Sequence, residues 1–249
     1  MIANTMELRE LRRVYDHLCL YSDKHKVRVV LLPKRKRLAL LKSPEMADED
    51  EAVLAAEIHS LECDVHLLEI ELSDIQRQPM QHIRPQDVAS ALKRLGKPNV
   101  PKKEILEMIW EADEKFDGVI DWDEFCLNFQ RNIHDKSGLE PANLYNIVQF
   151  MIYDQNDNGF VSIDETMNML YARYGRQKME AKITTLFGAP NQREITETGR
   201  EGGEINFAKY VTAVERTQMK MFDESELGRS IRDKGKRKTD PNKTKKKKR

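Results

Sequence analysis

Along residues 6–21, MELRELRRVYDHLCLY, apolar side chains fall at Leu8, Leu11, Tyr15 and Leu18, spacings that place them on one stripe of a helix. The next stretch, HKVRVVLLPKRKRLALLKSP, has Pro33 and Pro44 as breakers and a Lys/Arg cluster at 34–37, which predicts an irregular basic connection with a short extended piece at 27–32. The longest periodic segment runs from about Asp48 to Ile75, where Leu54, Ile58, Leu61, Val65, Leu68, Leu72 and Ile75 step by four and three throughout. This is a heptad seam flanked by acids (Glu57, Glu62, Asp64, Glu69, Glu71), so its partner should be apolar along the seam and basic at the edges. Two partners stay open: the amino-terminal helix with Arg9, Arg12 and Arg13, giving an antiparallel hairpin, or a helix of another protein.

Beyond residue 76 the pattern divides into repeats of about 40 residues, each a helix, a polar loop and a helix. One loop, DQNDNGFVSIDE at 154–165, offers oxygens at its positions 1, 3, 5, 7, 9 and 12, from Asp154, Asn156, Asn158, the Phe160 carbonyl, Ser162 and Glu165. Gly159 at position 6 permits the sharp turn, Val161 at position 8 can pair with a neighbouring loop, and Glu165 can ligate with both oxygens, the pattern of a calcium-binding EF-hand. Apolar residues flank it on helical spacing: Ile147, Phe150 and Met151 before, Met167 and Leu170 after. Only Asp154 and Glu165 bring formal charge, so the expected affinity is modest, and a loop folded this way but left without metal is the alternative.

The preceding repeat, DEKFDGVIDWDE at 113–124, keeps Asp113, Asp117, Gly118, Ile120, Asp121 and Glu124 in register but has Lys115 at position 3. An ammonium has no lone pair to offer a metal, so this loop is expected to be structural. Each loop should have a degraded neighbour. Upstream, QRQPMQHIRPQD at 76–87 has Ile83 at position 8 but Gln76, Gln78 and Met80 in ligand positions and no glycine at 6. Downstream, INFAKYVTAVE puts Ile205 at position 8 and Lys209 at position 12, with an overlong loop from 188 to 209.

SALKRLGKPNVPKKEILEMIWEADEKFDGVIDWDEF and QFMIYDQNDNGFVSIDE look like the second and third hands of calmodulin with their linker, and residues 60–222 resemble the calmodulin, centrin and troponin C group. The resemblance implies two lobes of two hands, a grip on a target helix, and one Ca2+ site built from Asp154, Asn156, Asn158, Phe160, Ser162 and Glu165. The expected fold class is all-α: two EF-hand lobes, three of the four hands degraded, after an N-terminal helix and a long heptad helix, with a disordered basic tail. The corresponding segments are 1–47, basic helix and linker; 48–132, heptad helix and first lobe; 133–225, second lobe; and 226–249, tail.

A net charge of zero hides strong segregation. Residues 1–44 carry 11 basic and 4 acidic groups and residues 229–249 carry 12 and 2, which leaves the middle at −17. An acidic body between basic ends suits a cation-binding core with arms for an acidic surface such as tubulin, anionic lipid or nucleic acid. KTKKKKR and PKRKR read as docking arms, nuclear import signals or solubilising runs; without aromatic residues the tail is not expected to recognise nucleic acid specifically. Cys19, Cys63 and Cys126 are odd in number and unclustered, as for reduced thiols. The six histidines show no metal-ligand spacing, and no phosphate loop or nucleophile–base set occurs, so an enzyme is not expected. No apolar run approaches the roughly 20 residues of a membrane span, and the amino terminus lacks a signal-peptide core.

The leading expectation is a cytoplasmic calcium-binding adaptor in a cytoskeletal assembly, similar in design to EF-hand subunits of axonemal dynein docking or regulatory complexes in cilia and flagella. It would bind protein partners by a coiled coil or a target helix, and tubulin by its basic ends. A free calcium sensor acting on an enzyme or channel is one alternative, and a nuclear or nucleic-acid-associated factor is another.

Overall fold

The computed structural model describes residues 5–43, 51–78, 82–188, 203–225 and 229–231. In chain order the elements are α1 (Thr5–Leu18), α2 (Tyr21–Leu41), α3 (Glu51–Gln76), α4 (Pro85–Arg94), α5 (Lys102–Trp110) and α6 (Trp122–His134), followed by α7 (Asn143–Tyr153), β1 (Phe160–Ser162), α8 (Ile163–Phe187), β2 (Glu204–Asn206) and α9 (Phe207–Glu224). The fold is all-α, with β1 and β2 the short pairing segments of two loops. The chain forms two compact units, Arg13–Glu124, and Met1–Arg12 with Phe125–Arg249.

In the first unit the segment expected to be an irregular linker is helix α2, and the extended piece expected at 27–32 is helical. Pro33 is tolerated inside it because residues 29 and 33 are both exposed, so the Val29 carbonyl that loses its amide partner can face water. The partner of the heptad helix α3 is therefore α2, not α1. Val27, Leu31, Lys34, Leu38 and Leu41 step four, three, four and three along α2, and Val27, Leu31 and Leu41 are buried. The basic edge predicted for this partner is present. Lys34 pairs with Asp64, Arg35 with Glu69, Arg37 with Glu57 and Lys42 with Glu62, an antiparallel pattern. These pairs are partly exposed and contribute at most about 1 kcal/mol each, so the apolar seam carries the hairpin and the charges fix its register.

The turn between α1 and α2 is strained and pinned. Leu20 adopts a left-handed conformation (φ 54) while only 6% exposed, at a cost of about 1–2 kcal/mol. The fully buried Asp87 holds the turn by accepting the Ser22 amide at 2.8 Å. Its other oxygen accepts the Arg84 amide at 3.0 Å at the start of α4, and Arg84 also reaches Asp23 at 2.8 Å. That guanidinium is the main reason the Asp23 carboxyl lies below its ordinary value. The loops before α4 and α6 meet at an antiparallel bridge, Ile83 with Ile120, through two amide–carbonyl bonds of 3.0 Å. Both isoleucines occupy the position 8 assigned from sequence.

In the second unit the equivalent contact is β1 against β2, with Val161 opposite Ile205. Its core includes Phe150 packed edge-on against Phe207 (5.3 Å) and Tyr210 (5.5 Å). Helix α8 breaks at Gly175 (φ 69), which divides the helix leaving one loop from the helix entering the next. Gly138 (φ 72) admits no side chain, because a Cβ there would lie 2.7 Å from the Gln218 carbonyl oxygen of α9. The segment around it is tied by Asp135, which accepts the Ser137 amide at 2.7 Å and the Glu140 amide at 3.2 Å. The basic tail beyond 231, residues 79–81 of the first degraded loop and 189–202 of the fourth lie outside the described residues.

Candidate metal centre

Loop 154–165 is shaped by its own polar side chains. Asp154 ends α7 and is 4% exposed; its carboxylate accepts the amides of Asn158 (3.0 Å) and Gly159 (2.9 Å). Asn156 Oδ1 accepts the Asn158 amide at 3.0 Å, and Asn158 Oδ1 accepts the Phe160 amide at 2.7 Å. Gly159 (φ 83) and Asp157 (φ 58) turn the chain through the left-handed region. At the far end Ser162 caps α8, its hydroxyl accepting the Glu165 amide at 3.2 Å while Glu165 Oε2 accepts the Ser162 amide at 2.9 Å. This capping box fixes Glu165 at the loop's last position. A concavity of about 340 Å³ beside the loop is lined by Asn156, Ser162, Glu165 and Glu204 among others.

The residues fit calcium by the chemistry of the donor set, hard oxygens in the spacing such a loop requires. Burial raises the Asp154 carboxyl above its ordinary value; the Gly159 and Asn158 amides oppose this, and Asp157 and Glu165 add to it. A buried carboxylate with acidic neighbours is stabilised by a cation. Asp154, Asn156, Asn158, Phe160, Ser162 and Glu165 are the residues that would hold one.

Loop 113–124 has the same backbone. Asp113, 6% exposed, accepts the amides of Asp117 (3.2 Å) and Gly118 (2.8 Å), and Phe116 (φ 60) and Gly118 (φ 81) make the same left-handed turns. The difference lies in the side chains. The Lys115 ammonium pairs with Asp121, joining loop positions 3 and 9. That hydrogen bond is the main reason the Lys115 ammonium titrates above its ordinary value. Glu124 accepts the Lys115 amide at 3.0 Å and the Asp121 amide at 2.9 Å, so both carboxylate oxygens serve the loop itself. A tethered cation thus occupies part of the role a metal would play.

Other candidates disperse. Among the described residues no group of three or more His, Cys, Asp or Glu side chains could hold a metal ion. The Cys19 thiol is buried and pushed up to about 12 by desolvation; Cys63 is exposed and Cys126 half-buried, all three unbridged. Of the methionines in the second half of the chain, Met151 and Met169 are buried, and Met167 and Met219 are exposed. Lys34, Arg35 and Arg37 of the PKRKR cluster are engaged by the acids of α3. No helix among the described residues is long and apolar enough to cross a membrane.

The sequence reading missed a second polar centre. Arg173 of α8 donates to Gln149 Oε1 at 2.7 Å and to the Tyr145 hydroxyl at 3.4 Å, and pairs with Glu7 of α1. One signal for it was present: Glu7 stands four residues before Leu11, in line with the apolar stripe.

Two helix–loop–helix pairs joined through position-8 residues define an EF-hand protein. The family described as an EF-hand domain pair matches residues 87–132. "Putative calmodulin-like protein 6" of Oryza sativa subsp. japonica is 32% identical over 109 residues, 43% of this chain and 61% of that protein. "Calmodulin-like protein 2" of Arabidopsis thaliana is 32% identical over 113 residues, 42% of this chain and 72% of its own length. The chain therefore spans less than two thirds of the first relative and somewhat more of the second. It belongs to the calmodulin-like EF-hand superfamily, a calcium-binding class.

Proposed function

We propose that this protein is a non-enzymatic calcium-binding adaptor with one active hand, loop 154–165, resident in a cytoplasmic cytoskeletal assembly of the ciliary or flagellar microtubule type. The observation that carries the reading is the contrast between the loops: one presents an oxygen set with a buried, cation-seeking Asp154, while the other pairs its own Lys115 with Asp121. Cooperative opening in this family's manner needs two ions in a lobe, so a solitary site favours a scaffold over a switch. The α2–α3 hairpin, with Val29, Leu32, Leu40, Leu67 and Ile70 exposed, is consistent with protein partners. Because three of the four PKRKR bases, Lys34, Arg35 and Arg37, pair with acids of α3, electrostatic docking to acidic tubulin falls chiefly to the tail at 229–249.

Co-sedimentation with polymerised tubulin at low salt tests this. The full-length protein should pellet with or without calcium, and removal of 229–249 should weaken binding and its salt dependence. Absence from the pellet for both forms would overturn the microtubule assignment. The second reading, a free sensor, is favoured by the calmodulin-like relatives. It would be supported by calcium-dependent exposure of apolar surface that Glu165→Gln removes.

A further inference from the structure

Helix α1 departs from the pattern of its own sequence. The apolar spacing points Leu8 inward, yet Leu8 is 43% exposed and the neighbouring Glu7 is 4% exposed. The buried line runs Glu7, Leu11, Val14 and Leu18. Glutamate is almost never fully buried unless paired, and the pairing group is Arg173, whose side chain is itself 9% exposed. Arg173 sits two residues before the Gly175 break in α8, so its helix ends where the guanidinium is held. Gln149 and Tyr145, both on α7, take part of its donor fork, and its Cζ lies over the Phe129 ring, 5.6 Å from the ring centroid. Glu7 and all these residues belong to one compact unit, the one that combines Met1–Arg12 with Phe125–Arg249.

A buried ion pair is a poor device for stability compared with apolar packing, but a strong one for selection, since a wrong partner leaves a charge unpaired in a low-dielectric site. We propose that the second EF-hand unit carries a helix-binding groove selective for a carboxylate four residues before a leucine, Glu-x-x-x-Leu, with residues 5–12 of this chain as its resident occupant. Arg173 is the selecting residue, and Gln149 and Tyr145 hold its fork in place. A basic amphipathic helix, the type that reads as a calmodulin target, would set like charge against Arg173 and be rejected. A partner helix that enters must present the acid that Glu7 now supplies. The assignment is independent of whether loop 154–165 takes an ion.

The test uses the full-length chain and a fluorescent peptide of residues 1–18, read by anisotropy. Wild type, with its groove filled in cis, should bind the peptide at least about 10-fold more weakly than the Glu7→Lys protein. A Glu7→Lys peptide should not bind that variant, but should bind an Arg173→Glu protein, whose own Glu7 is repelled from the groove. Equal affinity for wild type and Glu7→Lys, or no rescue by the charge swap, would overturn the proposal. Should Glu7→Lys fail to fold, Glu7→Gln read by hydrogen exchange decides instead. Faster exchange confined to residues 5–12 and their groove supports the assignment; no change, or uniform loosening of the whole protein, overturns it.

Discussion

Loops 113–124 and 154–165 share a backbone and differ in the side chain at their third position. In both, a nearly buried first-position aspartate gathers two amides, a left-handed residue stands at position 4, and a glycine with φ near 80 follows at position 6. In one the third-position side chain is Asn156, whose oxygen accepts the Asn158 amide; in the other it is Lys115, whose ammonium pairs with Asp121. The turn of such a loop is thus maintained by its own amides and its glycine, apart from any metal. The backbone turn is common to both loops although their third-position side chains differ, and a family match falling on residues 87–132, which include the lysine-bearing loop, is understandable on that ground.

The comparison can be broken most forcefully at the last ligand. Glu165→Gln keeps one neutral oxygen but removes the charge of the bidentate group. Calorimetry should show calcium affinity reduced by about 100-fold or more, roughly 2.8 kcal/mol; unchanged affinity would place the ion elsewhere. Next, Lys115→Asp replaces the tethered ammonium with a carboxylate. It should add a second calcium-binding event with a dissociation constant of about 10⁻⁵ to 10⁻³ M. If titration shows no additional ion, the lysine is not what disables that loop.

A smaller effect tests the shared backbone. Gly118 and Gly159 lie at φ 81 and 83, and a Cβ at either would meet nothing within 4 Å. Alanine at each should cost a similar amount in the ion-free protein, about 1–2 kcal/mol from the left-handed conformation alone, lowering Tm by several degrees. Clearly unequal losses would show that the two turns are not equivalent. The smallest effect is in pH. Burial opposes ionisation of Asp121, but the Glu124 amide and the Lys115 ammonium outweigh it and hold the carboxyl below its ordinary value. A carboxyl lowered on folding stabilises the fold above its unfolded pKa, about 3.9, and that contribution fades as pH falls through the folded value. Melting curves taken below about pH 5 should therefore show a shallower acid loss for Lys115→Gln than for wild type; identical acid limbs would mean the pair is immaterial.

The sequence by itself determined the parts of this protein that depend on short-range chemistry. The all-α class, the extent of α3, the loop register and the isoleucine and valine contacts between loops follow from spacing, because a twelve-residue loop with a glycine at its sixth position leaves the backbone few choices. The parts misjudged depended on what lies across from a residue. Pro33 and four consecutive bases look like a broken linker locally, and only the acids of α3 and the solvent-facing placement of Val29 and Pro33 make α2 a continuous helix. Helix α1 was legible as a helix, but its facing was not. Leu8 loses the interior to Glu7 because Arg173, more than 160 positions away in the chain, supplies a buried counter-charge that no spacing rule can anticipate.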